Sequence, residues 1–571
     1  MRRIRIFPNP SDSGHIPMVL IRSAHDLSES ASFTPPPVAG PPRLRSQYRY
    51  LFPDLADDPM AGCFAGTDEA GTIARLKEFE EATRLPLTPP AALLMRLPAA
   101  YTYFGQFLNH DISAPIGGIV EDPEAIPPAG VIGTADPPGL GKTWRADRAT
   151  ILARILNEQG NPLMLASLYG DWPDTDDPDI AALYKADGMR FRLARTAVPS
   201  KQEFSDIDLD PETIIHATGA PDLPRRGRAA LIADRRNDGN LILSQLHLAF
   251  LRVHNRAVAA LQPKLGRGPA CFRAARQLVT WHYHWLILND FLPRLLSRSV
   301  LRRPLSEWQP RGGASRAVPM EFTTAAFRFG HSMVGRAYDF NANFGVGGRI
   351  ARAASLTELF RFTSAQNMGH LDGPARQVPD HWVIDWDRMT SGRNLGRRSG
   401  HGGAERIDLS FAPDMLNVAG DATVAEHGSI LFRNLLRGFH RRIPFGQKLA
   451  EACGVPVLDR DQLRAALPRH VSPSGDFPSP LAAAEALGML EEMPAWLYML
   501  CESKALERGA RVGPTASRII ADTIVGLMLG EDGSLLRQEG GDWHPRDSIL
   551  RDRNGQALET LRGFLLFSAE D

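Results

Sequence analysis

The chain has 571 residues, 43% hydrophobic and 23% charged, enough to bury one large core or two or three smaller ones. Sixty-five basic residues balance 65 acidic ones, so net charge gives no reason to expect nucleic acid or a membrane surface as partner. No apolar run reaches the length of a bilayer-spanning helix, and MRRIRIFPNP at the N-terminus is followed by no apolar signal core. The reading is a protein of the cytoplasm, or one exported without a cleaved signal. Cys63, Cys271, Cys453 and Cys501 lie far apart without metal-like spacing, which suits reduced thiols.

Residues 1–47, rich in Pro, Ser and Arg, read as an extension with little core of its own. Loose Pro- and Gly-dense or acidic stretches follow at Ile116–Lys142 and Trp172–Pro211. Between and after them lie strong helical patterns: Leu241–Leu261, Cys271–Leu296, Phe322–Val334, Ile430–Leu436, Ala482–Leu500 and Thr515–Leu529. Alternating strand patterns are scarce. The expected fold is all-α, a large domain over residues 48–571 with long loops and little β-structure.

Two motifs dissolve on inspection. GLGKT at Gly139–Thr143 resembles a phosphate-binding loop, but the first glycine is replaced by Asp136, and Pro137 and Pro138 remove amide donors. The pairs His282/His284 and His247/His254 lack a zinc-site spacing with a carboxylate, and read as hydrogen-bonded structural histidines.

The informative segment is YTYFGQFLNHDIS, Tyr101–Ser113, where Gln106 and His110 share one helix face among Phe104, Phe107 and Leu108. Taken alone, it reads as a satisfied polar pair in a core. FGQFLNHD, however, resembles the distal-histidine segment of the animal-type haem peroxidases of the peroxidase–cyclooxygenase superfamily. Three further segments resemble that family in its own order: LIADRRNDGNLILSQLHLAFLRVHNR from Leu231, FTTAAFRFGHSMV from Phe322 and LFRNLLRGFHRRIPFGQ from Leu431. The similarity covers residues 48–571 and is nearest to bacterial members.

The resemblance implies a set of roles. His110 is the distal acid–base, Gln106 lines the distal cavity, and Arg236 supplies positive charge as the O–O bond breaks. His331 is the axial iron ligand, Asn434 bonds its second nitrogen, and Arg437 meets a haem propionate. Asp111 falls on the family's calcium position. The implied activity is reduction of hydrogen peroxide through a ferryl intermediate, with oxidation of a small reductant, and it connects the protein with oxidative stress.

Departures from the family carry expectations of their own. Residues that esterify haem in mammalian members are Asn109 and Gly239 here, so the haem is expected to be a non-covalent haem b. Met164 and Ala166 stand where the calcium loop needs oxygen ligands, so weak or absent calcium binding follows. Arg328 occupies the radical-tyrosine position of the fatty-acid dioxygenases in the superfamily, which disfavours that alternative. The other alternative is a haem-binding protein that has lost turnover.

Overall fold

The computed structural model describes residues 46–570, apart from segments 84–96, 117–144, 199–212, 364–376, 392–401, 416–429, 470–477 and 539–542 and positions 171, 176, 227–228, 303, 361 and 413–414. The expected extension up to residue 45 and the Gly139–Thr143 stretch therefore lie outside the described residues.

Helices build the molecule, and a few very short strands stitch it. In chain order, the elements that frame the site are strand β1 (Ser46–Arg49), helix α1 (Ala100–Ile112), strands β2 (Pro115–Ile116) and β3 (Leu156–Asn157), and helices α2 (Leu241–Leu265) and α3 (Pro269–Leu286). Strand β4 (Val318–Pro319) and helices α4 (Ile430–His440), α5 (Ala495–Glu507), α6 (Pro514–Gly530) and α7 (Leu561–Ala569) follow. β1 pairs antiparallel with β3 and parallel with β4, Tyr48 lying opposite Val318, and β3 also pairs with β2. These strands tie the end of α1 to the start of the His331 segment, although 203 residues separate Pro115 from Val318 in sequence.

α1 is the pivot of a continuous hydrophobic core that runs from Tyr48 to Phe567. Its Phe107 stacks on Phe250 of α2 at 4.7 Å, and both rings meet Tyr283 of α3 edge-on. Phe250 also packs against Phe564 of α7. Each such ring contributes roughly 2–3 kcal/mol by burial alone. Gly105 lets α1 approach the next element: a Cβ there would sit 3.1 Å from the Phe291 ring. α2 starts cleanly because Asn240 accepts from the Leu243 amide at 2.9 Å, a side-chain N-cap.

Several helical expectations are corrected in extent. Cys271–Leu296 is helical throughout but loosens into a π turn at Ile287–Phe291. Ala482–Leu500 is two helices, Pro480–Ala486 and α5, because Gly488 takes a left-handed φ and Pro494 cannot continue a helix. Phe322–Val334 is broken at Ala325, with an α turn at Met320–Thr324 and a 3-10 segment over Ala326–Met333. The Arg328 side chain reaches back across this break, its Nε donating to the Thr323 carbonyl at 2.7 Å. The four cysteines are free and buried. Among the described residues no helix is long and apolar enough to cross a membrane.

Candidate haem site

The first cluster forms where the C-terminal turn of α1 meets the 3-10 turn Arg235–Asp238. Asp234 caps that turn, its Oδ1 accepting from the Arg236 amide at 3.0 Å. The Arg236 guanidinium then folds onto the same carboxylate, with Nη2 2.6 Å from Oδ2. Its Nη2 also donates to the His110 carbonyl at 2.8 Å, and Nη1 donates to the Ser113 carbonyl at 2.7 Å. Burial alone would push Arg236 below its ordinary value; the Asp234 carboxylate overrides it and raises the group. The expected Arg236 therefore stands beside His110, but most of its donors hold Asp234 and the end of α1.

The His110 ring is held by a residue that sequence reasoning missed. Asn237 Oδ1 lies 2.9 Å from His110 Nδ1, and Asn237 Nδ2 lies 3.1 Å from His247 Nδ1. RRNDGN reads as a polar surface turn, and only its burial under α1 and α2 reveals Asn237 as an interior residue. Gln106, one turn before His110, accepts at Oε1 from Asn240 Nδ2 at 3.1 Å. That bond fixes which way the amide faces. Gly105, Gln106, Asn109 and His110, adjacent on one face of α1, are each partly open, whereas the rest of the helix is closed off.

The second cluster gathers around His331. Burial pushes its imidazole down to about 3, helped by the Arg328 and Arg437 charges, so it is neutral, as a metal ligand must be. Asn434, fully buried on α4, places Nδ2 2.9 Å from His331 Nδ1, while its Oδ1 accepts from Arg437 Nη1 at 3.3 Å. In that orientation the amide donates and the imidazole proton sits on Nε2. Ligation of iron through Nε2 requires the amide turned over, with Oδ1 accepting from Nδ1–H. The turned amide occupies the same space, and the long Arg437 contact is all that opposes it.

Arg328 and Arg437 are the second thing that local patterns conceal. Burial lowers Arg328 to about 9, with Arg441 adding to the effect, and drives Arg437 well down, with Arg328, Arg441 and Arg433 adding to it. Among the described residues no carboxylate acts on either group. Buried cations without counter-charge are costly by several kcal/mol each. The two clusters meet at Tyr48: this buried phenol lies within electrostatic reach of Arg236 on one side and of Arg328 and Arg441 on the other.

The remaining expected site residue, Asp111, is spoken for. Its Oδ2 accepts from the Leu165 amide at 3.0 Å, and its Oδ1 accepts from the Ser167 amide and hydroxyl at 3.1 and 2.9 Å. Leu165 adopts a left-handed φ of 56° to present these donors. Rather than a carboxylate short of ligands, Asp111 is one capped by protein N–H and O–H groups, which point positive ends where a cation would sit. The structural histidines are hydrogen-bonded: His282 bonds Ser548, His284 bonds the Leu163 carbonyl and the Leu535 amide, and His254 bonds Tyr169 and the Met189 carbonyl, while His282 Nδ1 and His247 Nε2 find no partner among the described residues.

A family model for the animal haem peroxidases matches residues 200–372. Human thyroid peroxidase is 24% identical over 347 residues, covering 58% of this chain and 32% of that protein. Mouse eosinophil peroxidase is 36% identical over 109 residues, covering 18% of this chain and 15% of its own. The chain thus spans about a third or less of these relatives. Peroxidase A from Dictyostelium discoideum superposes with a TM-score of 0.52 at 17% identity, covering 86% of this chain and 89% of that one. A fatty acid alpha-dioxygenase from Oryza sativa superposes with a TM-score of 0.50 at 12% identity, over 82% and 74%. The mainly helical fold is shared with these two solved structures. The likeness to the animal haem peroxidases is carried by residues 200–372.

The family implies a haem, and the residues fit one. Two partly buried guanidiniums on which no carboxylate among the described residues acts suit a cofactor that brings two propionates. Neutral His331 beside them suits its iron.

Proposed function

We propose that residues 48–571 form a haem peroxidase domain that reduces hydrogen peroxide and oxidises a small reductant. The observation that carries this reading is the pairing of a neutral His331 amid uncompensated guanidiniums with a His110 whose ring and backbone are both held. His331 would ligate the iron through Nε2, with Asn434 behind it. Arg437 and Arg328 would receive the propionates. A bound haem supplies the redox equivalents that pass from peroxide to the reductant.

The protein's own work is proton handling. His110 Nε2 takes a proton from the incoming peroxide and returns it to the departing oxygen, which leaves as water. Arg236 lends positive charge and one Nη1 hydrogen not used in the contacts above, a narrower role than a fully aimed guanidinium would have. Gln106 offers its NH2 group on the same side. Haem b without a covalent link is favoured by the lack of a carboxylate at Asn109 and Gly239. Arg328 beside His331 disfavours a tyrosyl-radical dioxygenase.

The full chain reconstituted with haem tests the reading. His110→Ala should keep its Soret band yet slow the peroxide-induced absorbance change by about 10²- to 10⁴-fold, the usual weight of a positioned acid–base group. His331→Ala should lose most of its haem. A His110→Ala protein reacting at the wild-type rate would remove the proposal.

A further inference from the structure

We infer that Asn237 is the positioning residue that makes His110 a base, and that His247 behind it keeps the Asn237 amide the right way round. The inference rests on the peroxidase reading and names the device that reading needs.

An imidazole can take a proton at Nε2 only if its proton resides on Nδ1. Something must therefore accept from Nδ1. Asn237 Oδ1, at 2.9 Å, is that acceptor. A carboxamide turned over would present N–H instead, drive the His110 proton to Nε2 and abolish the base. The choice is made one residue further back. Asn237 Nδ2 lies 3.1 Å from His247 Nδ1, so the NH2 group has an acceptor to donate to when the amide stands as observed. His247 is fully buried on α2, and burial keeps it neutral, so one ring nitrogen always carries a lone pair, and Nδ1 carries it when the proton is on Nε2. Its Nε2 has no hydrogen-bond partner among the described residues, so nothing on that side holds it to the opposite tautomer.

The backbone under Asn237 is equally determined. Its amide donates to the Asp234 carbonyl at 3.0 Å, and the next residue, Asp238, is gripped by Arg225. The His110 carbonyl meanwhile accepts from Arg236 and from Gln159 Nε2 at 2.9 Å. One buried turn thus holds both the ring and the backbone of His110. A second nitrogen-bearing ring behind the amide has no packing purpose that an apolar side chain would not serve as well.

Two readouts on the haem-loaded full chain test this. One is the rate of the peroxide-induced Soret change. The other is the association rate of hydrogen cyanide, which must also give up its proton on binding and so reports the base without turnover. Asn237→Leu, close in shape but unable to accept, should slow both by about 10- to 100-fold with haem occupancy unchanged. Asn237→Asp restores an acceptor and should recover both to within about fivefold of wild type. His247→Phe should cost about three- to tenfold by freeing the amide to turn.

Wild-type rates in Asn237→Leu, or an Asp variant as slow as the Leu variant, would overturn the inference. If Asn237→Leu fails to hold haem, the Asp and His247→Phe proteins decide: a fast Asp variant with a slowed His247→Phe supports it, and any other pattern overturns it. His110→Ala separates the two levels of the argument. A slow His110→Ala beside a fast Asn237→Leu sinks this inference alone, whereas a fast His110→Ala sinks the peroxidase reading with it.

Discussion

Arg225 grips Asp238 with two parallel hydrogen bonds, Nη1 to Oδ2 at 2.6 Å and Nη2 to Oδ1 at 2.7 Å, and both side chains are fully buried. Asp238 is the carboxylate nearest in sequence to Gly239, one of the two positions where mammalian relatives are expected to esterify haem. A carboxylate clamped at both oxygens is not available to attack a haem methyl, and releasing it would break a buried ion pair, at a cost of about 3–5 kcal/mol. Acidified organic solvent should therefore extract all the haem, before and after peroxide treatment. A haem adduct on a peptide containing Asp238 would reverse this conclusion.

Arg328 and Arg437 should show opposite effects in the apo and loaded protein. Each is a partly buried cation on which no carboxylate among the described residues acts. Arg328→Met removes an uncompensated charge, so the apoprotein should gain on the order of 1 kcal/mol or more in stability. The same change should weaken haem binding by about tenfold or more, since a propionate loses its counter-ion. Thermal unfolding of the apoprotein and haem titration by Soret absorbance check the two signs. A variant that destabilises the apoprotein and binds haem normally would assign Arg328 to packing alone.

Asp111 should hold no calcium. Its two oxygens already accept three hydrogen bonds from Leu165 and Ser167, and Met164 and Ala166 offer no side-chain oxygen. Metal analysis after dialysis against chelator should find none, and added calcium should leave the melting temperature unchanged. Ser167→Ala, which removes one donor to a buried carboxylate, should cost about 1–3 kcal/mol. One calcium per chain surviving dialysis would show that the loop rearranges around the ion.

Stability should fall between weakly acidic and alkaline pH through Glu502. This carboxyl is fully buried on α5 and accepts from the Thr515 amide and hydroxyl at 2.9 and 2.7 Å. Burial pushes it up to about 8, more than those bonds pull it down. A group raised above its unfolded value of 4.5 contributes stability that is complete below that pH. The contribution is lost as pH climbs through about 8, a swing on the order of a few kcal/mol. Melting temperatures of wild type and Glu502→Gln, the isostere of the neutral carboxyl, should accordingly lie close together at pH 5 and diverge by pH 9, with wild type the less stable there. Parallel profiles would rule this source out.

What the sequence determined by itself was the set of local patterns. The 3.6-residue periodicity marks α2, α3 and α6, and the pairing of Gln106 with His110 on one face follows from their spacing of four. FRFGH and FGQFLNHD identify His331 and His110 by resemblance, and the absence of a carboxylate at Asn109 and Gly239 is plain in the letters. Tertiary structure decided what each polar residue means. RRNDGN has the composition of an exposed turn, yet α1 and α2 bury it, and burial converts Asn237 into a link between two imidazoles and Asp238 into half of an ion pair. Arg328 looks like an ordinary helix charge until the chain folds round it and no carboxylate among the described residues meets it. Asp111 looks like half a calcium site until Leu165 and Ser167, more than fifty residues away, supply its donors. The physical reason is common to all of them. A periodic pattern reports which face of an element is apolar, whereas the value of a charge or an amide depends on its desolvation and its partner, and both come from remote parts of the chain.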